Sequence, residues 1–480
     1  MSGILVFLKR FDTKAELLAQ LEHHRKLQHA ISQEIESHSA LIRYKLNSFL
    51  PLHTLPAELF REILVHALSV ESEGSSNTWK HVYKLASVSK YWFDMVTGEP
   101  RLWTKITSTD PPMITAAKLR NSKGAELDVE LDLVGRMPSI TADAEEEWLT
   151  DAVSGESQRW KSLAFRSGSC PRSVRQALSG SSPVLRDLCA RIPWGWQGQS
   201  EGRITLGDDG VTLRRLRLEC VGFGWDSPRL TDLKYLWLAN ISAHPPTLSQ
   251  LRGIIQSSPN LETLSLTNVR CQADEIDLAP VHLPNLKTFK LEGMLQAVSS
   301  NLVCSIHGSR GCGVLIRPLE AADLATSSLR SAISRWVEAL FQATGSIFLS
   351  VDGNMDEVTI RTAPSPHFEV WRPETWPDQG AKGAFLAIQL GGSNAPIYQV
   401  VDILKASNTT AVIHLDIRWF GIEDQREFPV EILDDLEGVQ QMTVLGPMDI
   451  KAVMNHLELP RLSQQGERWG WACPNLTTLR

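Results

Sequence analysis

Three short stretches of this chain carry side chains able to ligate a metal or move protons. Cys304, His307 and Cys312 combine two thiols with an imidazole, donors that zinc accepts. Their spacing matches no common zinc motif, and Gly308-Ser309-Arg310-Gly311 between them reads as a loop. His23 and His24 are adjacent but lie in a charged helical stretch, where they read as a solvated pair. Glu145-Glu146-Glu147 reads as the solvated start of a helix near Asp143. There is no P-loop, G-x-G-x-x-G, H-E-x-x-H or G-x-S-x-G pattern. The expectation is therefore a binding protein, with no catalytic residue, no cofactor and no metal. A cleft lined by titratable groups with strongly shifted pKa values would argue for an enzyme instead.

The totals agree. The seven cysteines are odd in number and scattered, with no C-x-x-C, so they form neither a disulfide framework nor a zinc site. A net charge of −7 argues against a general nucleic-acid binder. The apolar run Ile4 to Leu8 is too short for a membrane span or a signal-peptide core. Cytoplasm or nucleus is the expected location, and the sequons at Asn240, Asn408 and Asn475 then read as chance matches. The 480 residues suit two to four domains or one repeat array. Of the fifteen tryptophans most are expected in the core. Trp194-Gly195-Trp196 and Trp469-Gly470-Trp471 fall in loop-like sequence, suited either to protein recognition or to filling space under a loop.

A helical module from Leu52 to Ile106 organises the chain. Thr54 or Leu55 can cap its first helix, and Pro56 suits the first position. Glu58 opposes the helix dipole. Leu59, Phe60, Ile63, Leu64, Ala67 and Leu68 recur at three- and four-residue spacing as a wide apolar stripe. A polar break at residues 71–77 precedes a second helix near His81 to Val88. A third follows near Lys90 to Val96, stopped by Gly98 and Pro100. Three short helices bury little area and need a partner or a flanking domain. An ordinary helical hairpin inside a larger domain is the alternative.

The order Leu55-Pro56-Ala57-Glu58, an apolar run, Val88-Ser89-Lys90-Tyr91-Trp92, then Leu102-Trp103 resembles an F-box, with Ser89 where many members carry Cys. The resemblance implies docking onto a Skp-type adaptor and, through it, a cullin of a ubiquitin ligase. Leu55, Pro56, Ile63, Val88 and Trp92 would be the adaptor-binding residues. The stretch Phe49-Leu50-Pro51-Leu52-His53-Thr54-Leu55-Pro56, entered from a long charged helix, is similar to fungal F-box proteins.

That helix is expected from Thr13 to Phe49. Leu17, Leu21, Ile31, Ile35, Ile42 and Phe49 fit a heptad frame, but His24, Gln28, His38 and Lys45 hold the other seam positions. Two readings stand: a solvated helix packing one face on its own protein, or a coiled coil joining copies.

Beyond Asp110-Pro111-Pro112, expected to be a connector, Leu127 to Leu133 and Trp160 to Phe165 read as strands around a helix from Ser139 to Val153. The face of that helix is expected at Ala144, Trp148 and Ala152. From Leu213 a repeat emerges: Leu213-x-x-Leu216-x-Leu218, Leu233-x-x-Leu236-x-Leu238, Leu261-x-x-Leu264-x-Leu266 and Leu286-x-x-Phe289-x-Leu291. The starts lie 20, 28 and 25 residues apart, and Val221, Ile241, Val269 and Met294 each follow three residues later. This is the spacing of leucine-rich repeats, without the usual asparagine at the ninth position. One unit cannot bury its own apolar face, so units stack into a curved solenoid. Weaker echoes comprise helices at 329–343, 400–406 and 449–457 and strands at 346–351, 411–417 and 442–445. Pro474-Asn475-Leu476 opens one more repeat at the chain's end, which reads as an exposed edge or a truncated product.

The fold class expected is α+β: a long N-terminal helix (13–50), a three-helix F-box-like domain (51–106) and an irregular α/β solenoid (107–480). Arg215, Arg217, Tyr235, Trp237 and Lys290 stand between the ladder leucines and are expected to project from the sheet as substrate-binding candidates. The alternative is a repeat scaffold whose helical module is an internal brace, with Leu55 and Trp92 buried against the repeats.

Overall fold

The structure is a computed structural model. It describes residues 13–318 apart from 48, 72–77, 135–139, 181, 194–202, 272–278 and 310–311. Beyond 318 it describes 331–336, 346–352, 357–361, 385–389, 412–418, 433, 439–445, 456–457, 461–462, 469–470, 473 and 476–479. The chain combines helices with a mostly parallel sheet and divides into two compact units, Met1–Leu127 and Asp128–Arg480. Among the described residues no helix is long and apolar enough to cross a membrane.

The first unit opens with helix α1 (Lys14–Asn47), which ends two residues before Phe49 and has no buried residue. Among the described residues nothing buries a face of it, in contrast to the reading in which one face packs on its own protein. A 3₁₀ turn, Pro51–Thr54, leads to α2 (Ala57–Glu71), α3 (Thr78–Ala86) and α4 (Lys90–Gly98). Pro56 stands just outside α2, whose first bond runs from the Phe60 N–H to the Pro56 carbonyl. Ser89 caps α4 by accepting from the Trp92 N–H at 3.3 Å.

The unit continues past Ile106, where a boundary was expected. Helix α5 (Pro112–Asn121) packs beside the 3₁₀ turn Pro100–Trp103. The Lys118 ammonium meets Asp110 at 2.6 Å with both side chains buried, and Asp110 also accepts from the Thr107 N–H. Asp110 is thus a buried anchor, while Pro111 and Pro112 beside it stay exposed. Burial depresses the Lys118 pKa despite the partner.

The second unit is organised by a sheet. Its strands are β1 (Leu127–Asp132), β2 (Trp160–Arg166), β3 (Asp187–Arg191), β4 (Arg215–Glu219), β5 (Tyr235–Ala239), β6 (Thr263–Thr267) and β7 (Thr288–Met294). They continue as β8 (Gly313–Pro318), β9 (Ser346–Asp352), β10 (Glu357–Arg361), β11 (Phe385–Gln389), β12 (Val412–Arg418), β13 (Val439–Leu445) and β14 (Thr478–Leu479). The order runs β1 to β8, then β11-β10-β9-β12-β13-β14. From β2 to β8 neighbours pair in parallel; β10 is antiparallel to both β9 and β11. Strands β3, β8, β10 and β11 carry no leucine ladder of the expected form and were not foreseen.

The repeats align in register. Leu216, Leu236, Leu264 and Phe289 are direct partners on successive strands, as are Leu218, Leu238, Leu266 and Leu291. All are buried, together with the leading Leu213, Leu233, Leu261 and Leu286. The residue just past each strand ladder turns left-handed at one equivalent place: Cys220, Asn240, Asn268 and Gly293 have φ of 55°, 54°, 51° and 62°. Asn268 donates to the Asn240 side chain at 2.9 Å. The Pro-Asn turns are tied likewise, Asn260 to Asp232 at 2.8 Å and Asn285 to Asn260 at 3.3 Å. Polar stitching is therefore present, one residue earlier than the ninth position where it was sought.

Between β5 and β6 the chain returns through a helix, Leu248–Gln256, which opens with a capping box between Thr247 and Gln250 and buries Leu248, Leu251, Ile254 and Ile255. The helix Ile140–Ser154 buries Leu149 and Val153, while Trp148 is exposed; its inner face is one position off the expected set. Residues 331–336 are helical, with Ile333 and Trp336 buried. The rest of the helix expected at 329–343, that at 400–406, most of that at 449–457, and Trp194-Gly195-Trp196 lie outside the described residues.

Candidate docking site

Helix α2 builds the site from its own periodicity. Phe60, Leu64 and Leu68 repeat every four residues and turn inward. They share a core with Val82 and Ala86 of α3, Val96 of α4, and Trp103. Each buried side chain of this size contributes roughly 1.5–3 kcal/mol as an upper figure. Leu59, Ile63 and Ala67 follow the same four-residue spacing but face out. The wide stripe seen in the sequence is two stripes: one makes the core, the other is left uncovered.

The trio is locked by aromatic and polar contacts. Trp92 meets Phe60 edge-on at 4.9 Å between ring centroids, and Tyr83 meets Trp103 edge-on at 5.8 Å. The Arg101 guanidinium donates to Glu62 at 2.6 Å and to Glu99 at 2.7 Å, tying α2 to the turn after α4. Both carboxyls are held below their ordinary values, in each case first by the hydrogen bond from Arg101. Arg101 was not singled out from the sequence, although it lies inside the Pro100-Arg101-Leu102-Trp103 motif.

The five expected adaptor residues divide. Pro56 is exposed, Ile63 is 48% exposed and Val88 57%. Leu55 and Trp92 are half-buried, and Trp92 is partly spent on the module's own core. Leu59 and Phe93 are exposed as well and were not among the candidates. Spacing alone could have suggested Leu59, one turn before Ile63.

The sheet candidates differ from expectation. Arg215 is exposed and Lys290 half-buried beside Glu292 at 2.6 Å. Arg217, Tyr235 and Trp237 are buried, which corrects the alternation argument. Every residue of β5 is buried, so this strand is covered on both faces. Arg217 lies over the Trp237 ring at 4.3 Å, next to its partner strand, and burial lowers its pKa.

The neighbours of His307 are the Arg335 guanidinium, within hydrogen-bond reach, and the His282 ring at 5.0 Å; burial, then Arg335, lower its pKa. Such a setting disfavours a cation. Among the described residues no three His, Cys, Asp or Glu side chains gather as metal ligands. The cysteines are free, and burial pushes the Cys170 and Cys271 thiols up to about 12. Comparison with protein-family models, curated proteins and solved structures returns no match.

Proposed function

We propose that the chain is the substrate-recognition subunit of a Skp-cullin-F-box ubiquitin ligase, working in the cytoplasm or nucleus. The single observation that carries this reading is the second apolar row of α2, with Leu59 and Ile63 exposed beside exposed Pro56. A trio this small seals its core with Phe60, Leu64 and Leu68 and leaves the second row for another subunit. The adaptor would cover Leu55, Pro56, Ile63 and Val88, with Trp92 at the margin. The aligned leucine strands support a leucine-rich-repeat-like solenoid that holds a protein substrate. Arg215, and at lower exposure Lys290, remain the sheet residues able to reach it, whereas Arg217, Tyr235 and Trp237 act as the support beneath. The chain makes and breaks no bond itself; it raises the effective concentration of substrate at the ligase and orients it.

The internal-brace reading needs Leu55 and Trp92 buried against the repeats, whereas the half-burial of Trp92 comes from the module's own core. Co-purification of the full chain with a Skp-type adaptor tests the proposal. Wild type recovers the adaptor and Leu55→Ala/Pro56→Ala recovers little. An intact wild-type chain that recovers none overturns it.

A further inference from the structure

Helix α1 is a 34-residue helix in which no side chain is buried. Leu17, Leu21, Ile31, Ile35 and Ile42 are each between 40% and 60% exposed along its length. Leu18, Leu27, Leu41 and Leu46 are exposed as well and widen the stripe at its edges. A helix of ordinary composition draws most of its stability from packing of an apolar face. Here nothing in the described chain supplies that packing.

We propose that a second copy of this chain covers the stripe, in a parallel, in-register two-stranded coiled coil of α1 helices. The seam from Leu17 to Lys45 spans about four heptads, with five of its nine positions apolar. In the parallel register each seam residue meets itself. The five apolar seam residues then pair with themselves in apolar layers, and in the polar layers between them His24, Gln28 and His38 each face an identical group with which they can hydrogen-bond. A full-length antiparallel overlap would instead press His24 on Ile35, Gln28 on Ile31 and His38 on Leu21, stranding the polar groups. Polar seam residues that pair with themselves set register at some cost in stability. The flanking positions raise no objection, since they place Gln20 by Arg25, Leu27 by Ser32, Glu34 by Ser39 and Leu41 by Leu46. Lys45 falls in the last turn, where its stem can reach solvent and its charge suits the helix end. A lipid surface fits less well, because the outer face mixes Glu16, Glu22 and Glu36 with Lys26 and Arg43 instead of being basic.

Sedimentation equilibrium of the full chain at micromolar concentration tests this. The expected mass is twice 53.5 kDa, and Ile31→Lys/Ile35→Lys, at two exposed positions, returns it to 53.5 kDa. Gln28→Leu tightens the dimer by about tenfold, equivalent to about 1.4 kcal/mol. In oxidised glutathione, Ile31→Cys gives a disulfide-linked dimer and wild type does not. A chain of 53.5 kDa up to tens of micromolar, or a dimer that survives the double lysine change, overturns the pairing. Failure of Ile31→Cys to cross-link while the dimer persists overturns the parallel register.

Discussion

Trp103 donates its indole N–H to the backbone carbonyl of Val96 at 2.8 Å. Both residues are fully enclosed, and the bond folds the chain back on the end of α4. It is the polar closure of a core that α2 enters through Phe60, Leu64 and Leu68 and that Val82, Ala86 and Val96 complete. The neighbouring row on α2, Leu59 and Ile63, stays outside that core.

Trp103→Phe keeps most of the packing and deletes the donor. The expected cost is about 1–2 kcal/mol, against about 3–5 kcal/mol for Trp103→Ala, which also leaves a cavity. Hydrogen exchange of the α2 and α4 amides in the full chain measures both, and equal protection in the two variants would contradict this account.

Arg229 is buried and donates to the Val211 carbonyl at 3.0 Å, to the Ser182 hydroxyl and carbonyl at 3.1 and 3.0 Å, and to the Leu185 carbonyl at 2.9 Å. Arg229→Met removes all four and strands buried carbonyl oxygens. A loss of about 3 kcal/mol is expected in urea unfolding. Arg229→Lys should recover less than half, since one ammonium cannot span four acceptors in a fork.

Gly293 has φ of +62°, and an added Cβ would stand 1.7 Å from the Asn268 side-chain oxygen. Gly293→Ala should cost about 1–3 kcal/mol. Adding Asn268→Gly, which tolerates the φ of 51° there, relieves the clash but not the backbone at 293, so the double variant should recover only part of the loss in thermal unfolding.

Glu99 lies below its ordinary carboxyl pKa, through the Arg101 hydrogen bond first, with burial opposing. The unfolded chain therefore takes up the proton more readily. Its stabilising contribution is complete above the unfolded value of about 4.3 and is lost as pH falls through the lower folded value. Acidification below about pH 4.3 should loosen the α2–α4 module, and Glu99→Gln should flatten that part of the profile, read by the near-ultraviolet circular dichroism of its tryptophans.

Much of this was legible because periodicity was strong. The leucines of β4 to β7 and the helices α2 to α4 stand within a few residues of where their spacing placed them. Cys220 shows why the polar ladder was missed: Asn240, Asn268 and Gly293 tolerate a left-handed backbone, but a cysteine does not announce one. Trp237 shows why the sheet candidates misled. Alternation tells which side of a strand a residue takes, not whether that side is covered. The buried pair of Lys118 and Asp110 looked like a proline-rich connector because its partners are eight residues apart with no periodic mark.

The most direct test is titration calorimetry of the purified full chain against a purified Skp-type adaptor, comparing wild type with Ile63→Lys. The account predicts a complex for wild type and a loss of at least about thirtyfold, about 2 kcal/mol, for Ile63→Lys at an unchanged unfolding midpoint. No heat of binding from a folded wild-type chain, or equal affinity for the two, would contradict it.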